Sequence, residues 1–397
     1  MLLWPEISKR EKKKKKLCFH ISEKKKQNHI TNKVNQMSLK HFDMAAAGHA
    51  GIMTNEEESL FFKPALEQEI AFYNTVKENN DRNDNLLSPD AQMRDDVSPL
   101  DEWIPKYIGT MQKTSQVSKE ELENLGQSVR TKMEVHELVD NANPNDQFIV
   151  LENVLNGYKS PNVMDIKLGK VLYDESASTE KKNRLIKVSR ETTSGSLGFR
   201  ICGIKMANIQ KANHSIFLPA ELSYQNNDSY ISVNKQFGRR LQTETDIKSS
   251  LKVFFNNHEA GDEYFISLLT IFLERLEALI DTLNNSRANF ISSSILLIFE
   301  SDVERIKEHG INDVLIDSDF DIMSYIDDIS DSNETVEIDG EQIGIQALRK
   351  EFSLSKLKLV DFGHSKIGND LNIKDKENVI SGLYALKKLL AELLNEI

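Results

Sequence analysis

The chain has few of the residues that staple a fold or carry it across a membrane. It has two cysteines in 397 residues, Cys18 and Cys202. That excludes a disulfide framework and a cysteine-built metal site, and leaves a reducing compartment as the default. No apolar run approaches the ~20 residues that a bilayer span requires; the longest candidates resemble Ile295 to Phe299. The N-terminal segment has neither the apolar core nor the cleavage site of a secretory signal. Positive charge is outnumbered, with 50 Lys and Arg against 62 Asp and Glu and a net charge of -12, which argues against direct nucleic-acid binding by the whole surface. Between Asn312 and Gly344 there is no Lys or Arg at all.

What is present divides the chain. Residues 1–40 are dominated by lysine, with Lys12 to Lys16 unbroken and Lys24 to Lys26 following, and too little apolar surface to fold alone. They are expected to form a disordered basic tail. Its use is open between a nuclear-import or anionic-surface signal and a solvated extension, with Met37 or Met44 as an alternative start. Residues 45–150 suit a small lobe: a Gly-containing turn, a strand ending near Lys63, and a helix from about Glu67 to Val76 with Ile70, Tyr73 and Val76 at helical spacing. Polar stretches at 77–100 and 113–146 are expected to be surface loops. The segment FIVLENV (Phe148 to Val154) is expected to be a buried strand entering a connector. Residues 151–397 form the larger lobe, with core helices over Tyr264 to Leu283 and Val379 to Leu394 and strands over Ile295 to Phe299 and Lys356 to Phe362. Its insert, residues 312–344, alternates acids with Ile316, Phe320, Ile322, Tyr325 and Ile329. Such a pattern fits either a solvated loop or a dock for a protein partner.

The most informative segment is PNVMDIKLG, Pro161 to Gly169. In an extended strand Val163, Asp165 and Lys167 share one face, so a carboxylate and an ammonium leave the core together. DIK alone is equally a surface ion pair on an edge strand. With the leading Pro and closing Gly, however, it resembles the PxxxDxKxG motif of the inositol polyphosphate kinase family. Further segments match that family in order: AAAGHAGIM (Ala45 to Met53), FFKPALEQEIAFY (Phe61 to Tyr73), FIVLENV, SGSLGFRICGIKM (Ser194 to Met206), FGRR (Phe237 to Arg240), SSSILLIFE (Ser292 to Glu300) and LVDFGHS (Leu359 to Ser365). The set most resembles the fungal multikinase branch. Two departures, SSIL for SSLL and DFGH for DFAH, keep the polar atoms of the site.

The resemblance implies an α+β fold of two lobes, distantly related to protein kinases, and an ATP- and Mg2+-dependent phosphorylation of inositol phosphates. Phosphoryl transfer needs a clamp on the triphosphate and metal, an in-line hydroxyl and neutralisation of developing charge. By resemblance Lys63 reaches the ATP phosphates and is held by Glu69, and the backbone of Glu152, Asn153 and Val154 meets the adenine while their side chains are free to vary. Asp361 holds the metal, assisted by the Ser294 hydroxyl. Asp165 accepts a hydrogen bond from the attacking hydroxyl or from the ribose, and Lys167 faces the transferred phosphoryl group. Lys181, Lys187, Lys205 and His364 bind substrate phosphates, within a substrate segment at about 170–240. The implied acceptor is inositol 1,4,5-trisphosphate, at its 6- and 3-hydroxyls. Alternatives are a trisphosphate 3-kinase, a hexakisphosphate kinase, or a kinase-fold scaffold that binds transcription factors through the acidic insert. Fungal relatives are linked to transcriptional control of arginine metabolism, which places the protein in the nucleus, with the cytoplasm as a second compartment. A protein kinase is disfavoured, because no HRD loop is present.

Overall fold

In the computed structural model the described residues are 37–47, 51–81, 99–112, 147–208, 223–226, 229–256, 259–311, 353–368 and 373–397, with short pieces at 16–17, 86, 313, 315, 335–338 and 341–344. Most of the basic tail, the two polar loops and most of the acidic insert lie outside them. Among the described residues no helix is long and apolar enough to cross a membrane.

Two antiparallel sheets organise the chain. The small-lobe sheet runs, edge to edge, through Lys16–Leu17, Met37–His41, Met53–Asn55, Leu60–Pro64, Gln147–Glu152 and Tyr107–Gln112. It therefore begins before residue 45, since Met37–His41 pairs with Met53–Asn55. Its inner face buries Leu39, Met53, Phe62, Met111, Phe148 and Val150. Alternation explains why Lys63 is not among them: Phe62 points into this cluster and Lys63, one residue on, points to the opposite side.

The large-lobe sheet has the order Ser355–Val360, Ser294–Glu300, Pro161–Leu168, Phe199–Ala207, Tyr230–Val233 and Ser223–Asn226. Pro161–Leu168 lies at its centre, flanked on both sides, so Asp165 and Lys167 are not on an edge strand. Behind the sheet pack two long helices, Asp262–Asn285 and Ile373–Leu394. The first buries Phe265, Leu268, Leu269, Phe272, Leu276, Leu279 and Leu283, the stripe its 3.6-residue period dictates.

The helix after Lys63 spans Glu67–Asp81, beyond the expected Val76, and it joins the lobes. Phe72 stacks on Phe362 at 4.3 Å, and Tyr73 meets the same ring edge-on at 5.3 Å. One apolar cluster thus carries Phe72, Tyr73 and Val76 of the small lobe together with Phe290 and Phe362 of the large one.

Candidate active site

The central strand carries Asp165 and Lys167 on one face, as its alternation demands, and its neighbours complete the site. Ser294 lies opposite Lys167 on one side and opposite Val360 on the other. Immediately beyond Val360 the chain turns at Asp361, whose φ is +67°. A non-glycine residue in that region is uncommon and marks a held conformation. Here it lifts the carboxylate out of the strand toward the small lobe.

Lys63 meets it there. Its ammonium lies 2.6 Å from Asp361 Oδ1 and 2.9 Å from Glu69 Oε1, and Glu69 Oε1 also accepts the Phe362 amide at 3.2 Å. Burial alone would lower the Lys63 pKa, but Asp361 and then Glu69 outweigh it and raise the value above that of a free lysine. The expected lysine and glutamate pair is present, and its third member is the aspartate 298 residues away.

Asp165 is 6% exposed. Its Oδ1 is buried without a hydrogen-bond partner. Burial is the main cause of a pKa pushed up to about 6, with Asp361 adding to it and Lys167, Ser294 and Lys63 opposing. An orphaned buried carboxylate oxygen is costly unless a ligand supplies a donor. Beside it, Lys167 donates to the Ser292 carbonyl at 2.6 Å, and Ser292 itself has φ +60°. The strand pairing shifts register between Asp165 and Ile166, which face Gly203 and Ile201, so Cys202 is an extra residue in a bulge. Burial pushes its thiol pKa up, and nearby Asp165 adds to this.

The connector follows Gln147–Glu152. The Glu152 amide donates to Lys106 O at 2.9 Å and the Asn153 amide to Ser59 O at 2.7 Å. The side chains here are not idle, contrary to expectation. Glu152 Oε1 accepts the Lys106 amide at 3.1 Å, and Asn153 Nδ2 donates to Glu58 O at 2.5 Å. Both are buried, and they fix the connector's path between the lobes. Val154 packs with Val163 and Ile298 beneath it.

The expected phosphate ligands divide. His364 Nδ1 lies 2.5 Å from Asp174 Oδ2. Asp174 has its pKa lowered despite burial, by the Ser176 hydroxyl, by His364 and by the charge of Lys181. His364 is therefore held by a carboxylate that the sequence reading missed, and the Lys181 charge acts on the same group. Lys181 and Lys187 do lie on a helix, Thr179–Arg190, capped by Ser178. Six residues apart, however, they point about 120° from each other. Lys187 is 67% exposed and 3.9 Å from Glu191. Lys205 departs furthest from expectation: it is 1% exposed, its ammonium donates to the Asp43 carbonyl, and it lies 5.8 Å from the centre of the Tyr230 ring. A lysine so enclosed does not present its charge to a phosphate. Arg200, also missed, lies opposite Lys167 in the ladder and shares its face, with Nη1 2.9 Å from Ser194 Oγ. Its place inside SGSLGFRICGIKM, where alternation puts Phe199 and Ile201 in the core, was the signal available for it.

The family model for inositol polyphosphate kinase matches residues 148–391, a span that contains every element of the large-lobe part of this site. The chain belongs to the inositol polyphosphate kinase family. It is 35% identical over 353 residues to the inositol polyphosphate multikinase of Saccharomyces cerevisiae, covering 86% of this chain and 94% of that protein. With the Schizosaccharomyces pombe multikinase it shares 32% over 265 residues, 66% of this chain and 80% of the other. Among solved structures, the S. cerevisiae multikinase in complex with ADP and Mn2+ superposes with a TM-score of 0.59 at 32% identity, covering 85% of this chain and 99% of that one. Membership explains why a kinase-like pair, Lys63 and Glu69, coexists with a central strand bearing Asp165 and Lys167 in a chain without an HRD loop.

Proposed function

We propose that the protein is an ATP- and Mg2+-dependent inositol polyphosphate multikinase that phosphorylates inositol 1,4,5-trisphosphate at its 6- and 3-hydroxyls, giving tetrakis- and pentakisphosphates. The observation that carries the reading is the meeting of Lys63, Glu69 and Asp361 across the lobe boundary, beside a central strand that presents a buried carboxylate and a cation.

The residues fit a nucleotide and a divalent cation. Asp361 stands in a held conformation with its carboxylate beside the Lys63 ammonium, and the neighbouring Asp165 has a buried oxygen without a hydrogen-bond partner. Asp361, with the Ser294 hydroxyl, would hold Mg2+, which prefers oxygen ligands and retains waters. Bound there, the metal supplies neutralisation of charge on the terminal phosphates. Lys63 is fixed by Glu69 to contact the same phosphates. The connector leaves the Val154 amide to meet the adenine edge, since the Glu152 and Asn153 amides are already committed.

Asp165 accepts a hydrogen bond from the incoming hydroxyl or from the ribose, and its orphaned oxygen supports either role. Lys167, anchored by Ser292, offers its charge to the transferred phosphoryl group. Lys181 and His364 bind phosphates already on the ring, with Asp174 orienting the imidazole. Lys187, exposed on its helix, contributes at the rim. The clustering of cations suits a polyanionic acceptor better than a protein hydroxyl. The test is an assay of the purified protein with ATP and a panel of inositol phosphates, with product isomers resolved. Products from inositol 1,4,5-trisphosphate at the 6- and 3-positions are expected, and activity confined to hexakisphosphate would overturn the assignment.

We also propose a second role, in the nucleus and through transcription-factor partners, on the alternation of acidic and apolar residues in the acidic insert. The described residues at its two ends are tied to the large lobe by Arg275, Asp313 and Ser355. Loss of a protein partner on deletion of the insert, with kinase activity retained, is the expected outcome.

A further inference from the structure

Lys205 is a buried cation that the reaction as described does not use. Its strand, Phe199–Ala207, flanks the central strand, and Lys205 sits opposite Val163 while Gly203 sits opposite Asp165. Both residues meet the same stretch of the small lobe. The Lys205 ammonium donates to the Asp43 carbonyl. Gly203 has no room for a side chain, because a Cβ there would lie 1.9 Å from Ala46 O and 2.6 Å from Ala46 C. The stretch between these contacts, residues 43–47, links Met37–His41 to the rest of the small-lobe sheet. It is tied back to that sheet as well, since Phe42 donates its amide to Ile52 O at 3.2 Å and meets Phe61 edge-on at 5.1 Å. Phe61 is two residues before Lys63. Ala46 packs against the cluster of Val154, Val163 and Ile298, which joins the connector to the central strand.

We propose that Lys205 is a positioning residue for the nucleotide side of the reaction, its enclosed ammonium pinning residues 43–47 of the small lobe to the catalytic sheet beside Asp165. The pin sets how the strand bearing Lys63 sits over the strand bearing Asp165. It also seals one flank of Asp165 from water, a flank that only glycine at position 203 leaves open to backbone contact. The Tyr230 ring, 5.8 Å from the ammonium, adds a cation–π contact that holds the lysine in place once its water is lost. This rests on the kinase reading above in naming ATP as the ligand affected, but the contact itself does not.

The test uses the full chain with Lys205→Met, which keeps the stem and removes the charge, alongside Lys205→Arg and Gly203→Ala. Hydrogen exchange without any ligand is measured first. In Lys205→Met, amides at 42–47 should exchange at least tenfold faster while those of Pro161–Leu168 do not change; no change at 42–47 overturns the proposal whatever the activity. The dissociation constant of a fluorescent ATP analogue should then rise about tenfold, with the KM for inositol 1,4,5-trisphosphate altered less than twofold. Lys205→Arg should recover most of the nucleotide affinity, and Gly203→Ala should repeat the loss. If the inositol phosphate KM rises while nucleotide affinity holds, Lys205 is a substrate ligand and the proposal is wrong. Should the unmutated protein bind the ATP analogue yet phosphorylate no inositol phosphate, the assigned activity fails, and the exchange and nucleotide measurements still decide the role of Lys205.

Discussion

Asp165 holds a carboxylate where the fold alone would prefer none. Its pKa is pushed up to about 6, first by burial, so the folded protein favours the protonated form relative to the unfolded chain. For a carboxylate shifted upward, this contribution is fully favourable below the unfolded value near 4. It is lost as pH rises through about 6, beyond which ionised Asp165 costs stability. At ~1.4 kcal/mol per pH unit that cost is on the order of 3 kcal/mol at neutral pH. Asp165→Asn removes the charge and keeps the shape. It should therefore abolish turnover and, in the absence of ligands, raise stability at pH 7.5 by roughly that amount. Urea melts of both proteins from pH 4 to 8 should coincide at the acid end and separate through pH 6. Equal stability at pH 7.5 would mean that the carboxylate is solvated. Asp361 is the opposite case, because its charge is matched by Lys63 at 2.6 Å. Asp361→Asn should leave that buried ammonium with Glu69 alone and lower the turnover rate by a hundredfold or more at any inositol phosphate concentration. Raised magnesium should not restore it, and full recovery in such a titration would assign the metal to another ligand.

At the scale of elements, the closing glycine of PNVMDIKLG has a physical reason that its sequence does not display. Gly169 has φ +97°, and a Cβ there would lie 2.5 Å from Asn378 Nδ2. Its amide donates to Gly198 O at 2.7 Å, while Asn378 Oδ1 accepts the amides of Lys170 and Val171 at 2.7 and 2.8 Å. The C-terminal helix Ile373–Leu394 approaches closely enough to do this because Gly382 rests on Gly198: a Cβ at 382 would lie 2.2 Å from the Gly198 oxygen. Gly382→Ala should push the helix back. It is expected to cost about 1–3 kcal/mol, seen as a lower thermal midpoint. It should also reduce kcat severalfold, because the end of the catalytic strand moves with the helix. A lower midpoint with unchanged kcat would show that the helix supports the core alone.

The same elements show what was legible in the sequence. The amphipathic stripe of Asp262–Asn285 and the alternation in Pro161–Leu168 and Ser355–Val360 depend on periodicity, which a sequence displays directly. That Asp165 and Lys167 share a face follows from strand alternation, whereas their roles and the pairing of Lys63 with Glu69 were legible only through the resemblance to the family's ordered segments. What depended on distant chain segments meeting was not legible. The partnership of Asp174 with His364, the anchoring of Lys167 by a Ser292 carbonyl and the burial of Lys205 beneath Asp43 are all set by packing. A lysine in a strand looks the same in sequence whether it faces a phosphate or a carbonyl.

For the molecule as a whole, the position of the acidic insert separates catalysis from whatever the insert does. The Ser294 and Val360 pair at one end of the edge strand Ser355–Val360 and its neighbour Ser294–Glu300 borders the site, and the Phe299 and Ser355 pair at the other end borders the insert. At about 3.3 Å per residue these ends are roughly 17 Å apart. The neck of the insert is closed by buried groups. Asp313 accepts from Ser353 Oγ at 2.8 Å and from the Leu354 amide at 3.2 Å. Arg275 reaches Ser355 Oγ at 2.6 Å and the Leu315 carbonyl at 2.9 Å. These bonds tie together described residues on both sides of the insert, and residues 312–344, which have no Lys or Arg, offer no cation to a polyanionic substrate. Replacing residues 316–344 by a short Gly/Ser loop, with Asp313, Leu315, Ser353 and Ser355 kept, should leave the kinase rate within twofold. The thermal midpoint should also be nearly unchanged, since loop length enters stability at only ~0.6 kcal/mol per doubling. Arg275→Ala in the intact chain should be far more damaging, by about 3 kcal/mol, because it removes the guanidinium charge beside the buried Asp313 carboxylate. A loop-replaced protein that melts normally but no longer phosphorylates inositol phosphates would place the insert within the active site and refute this separation.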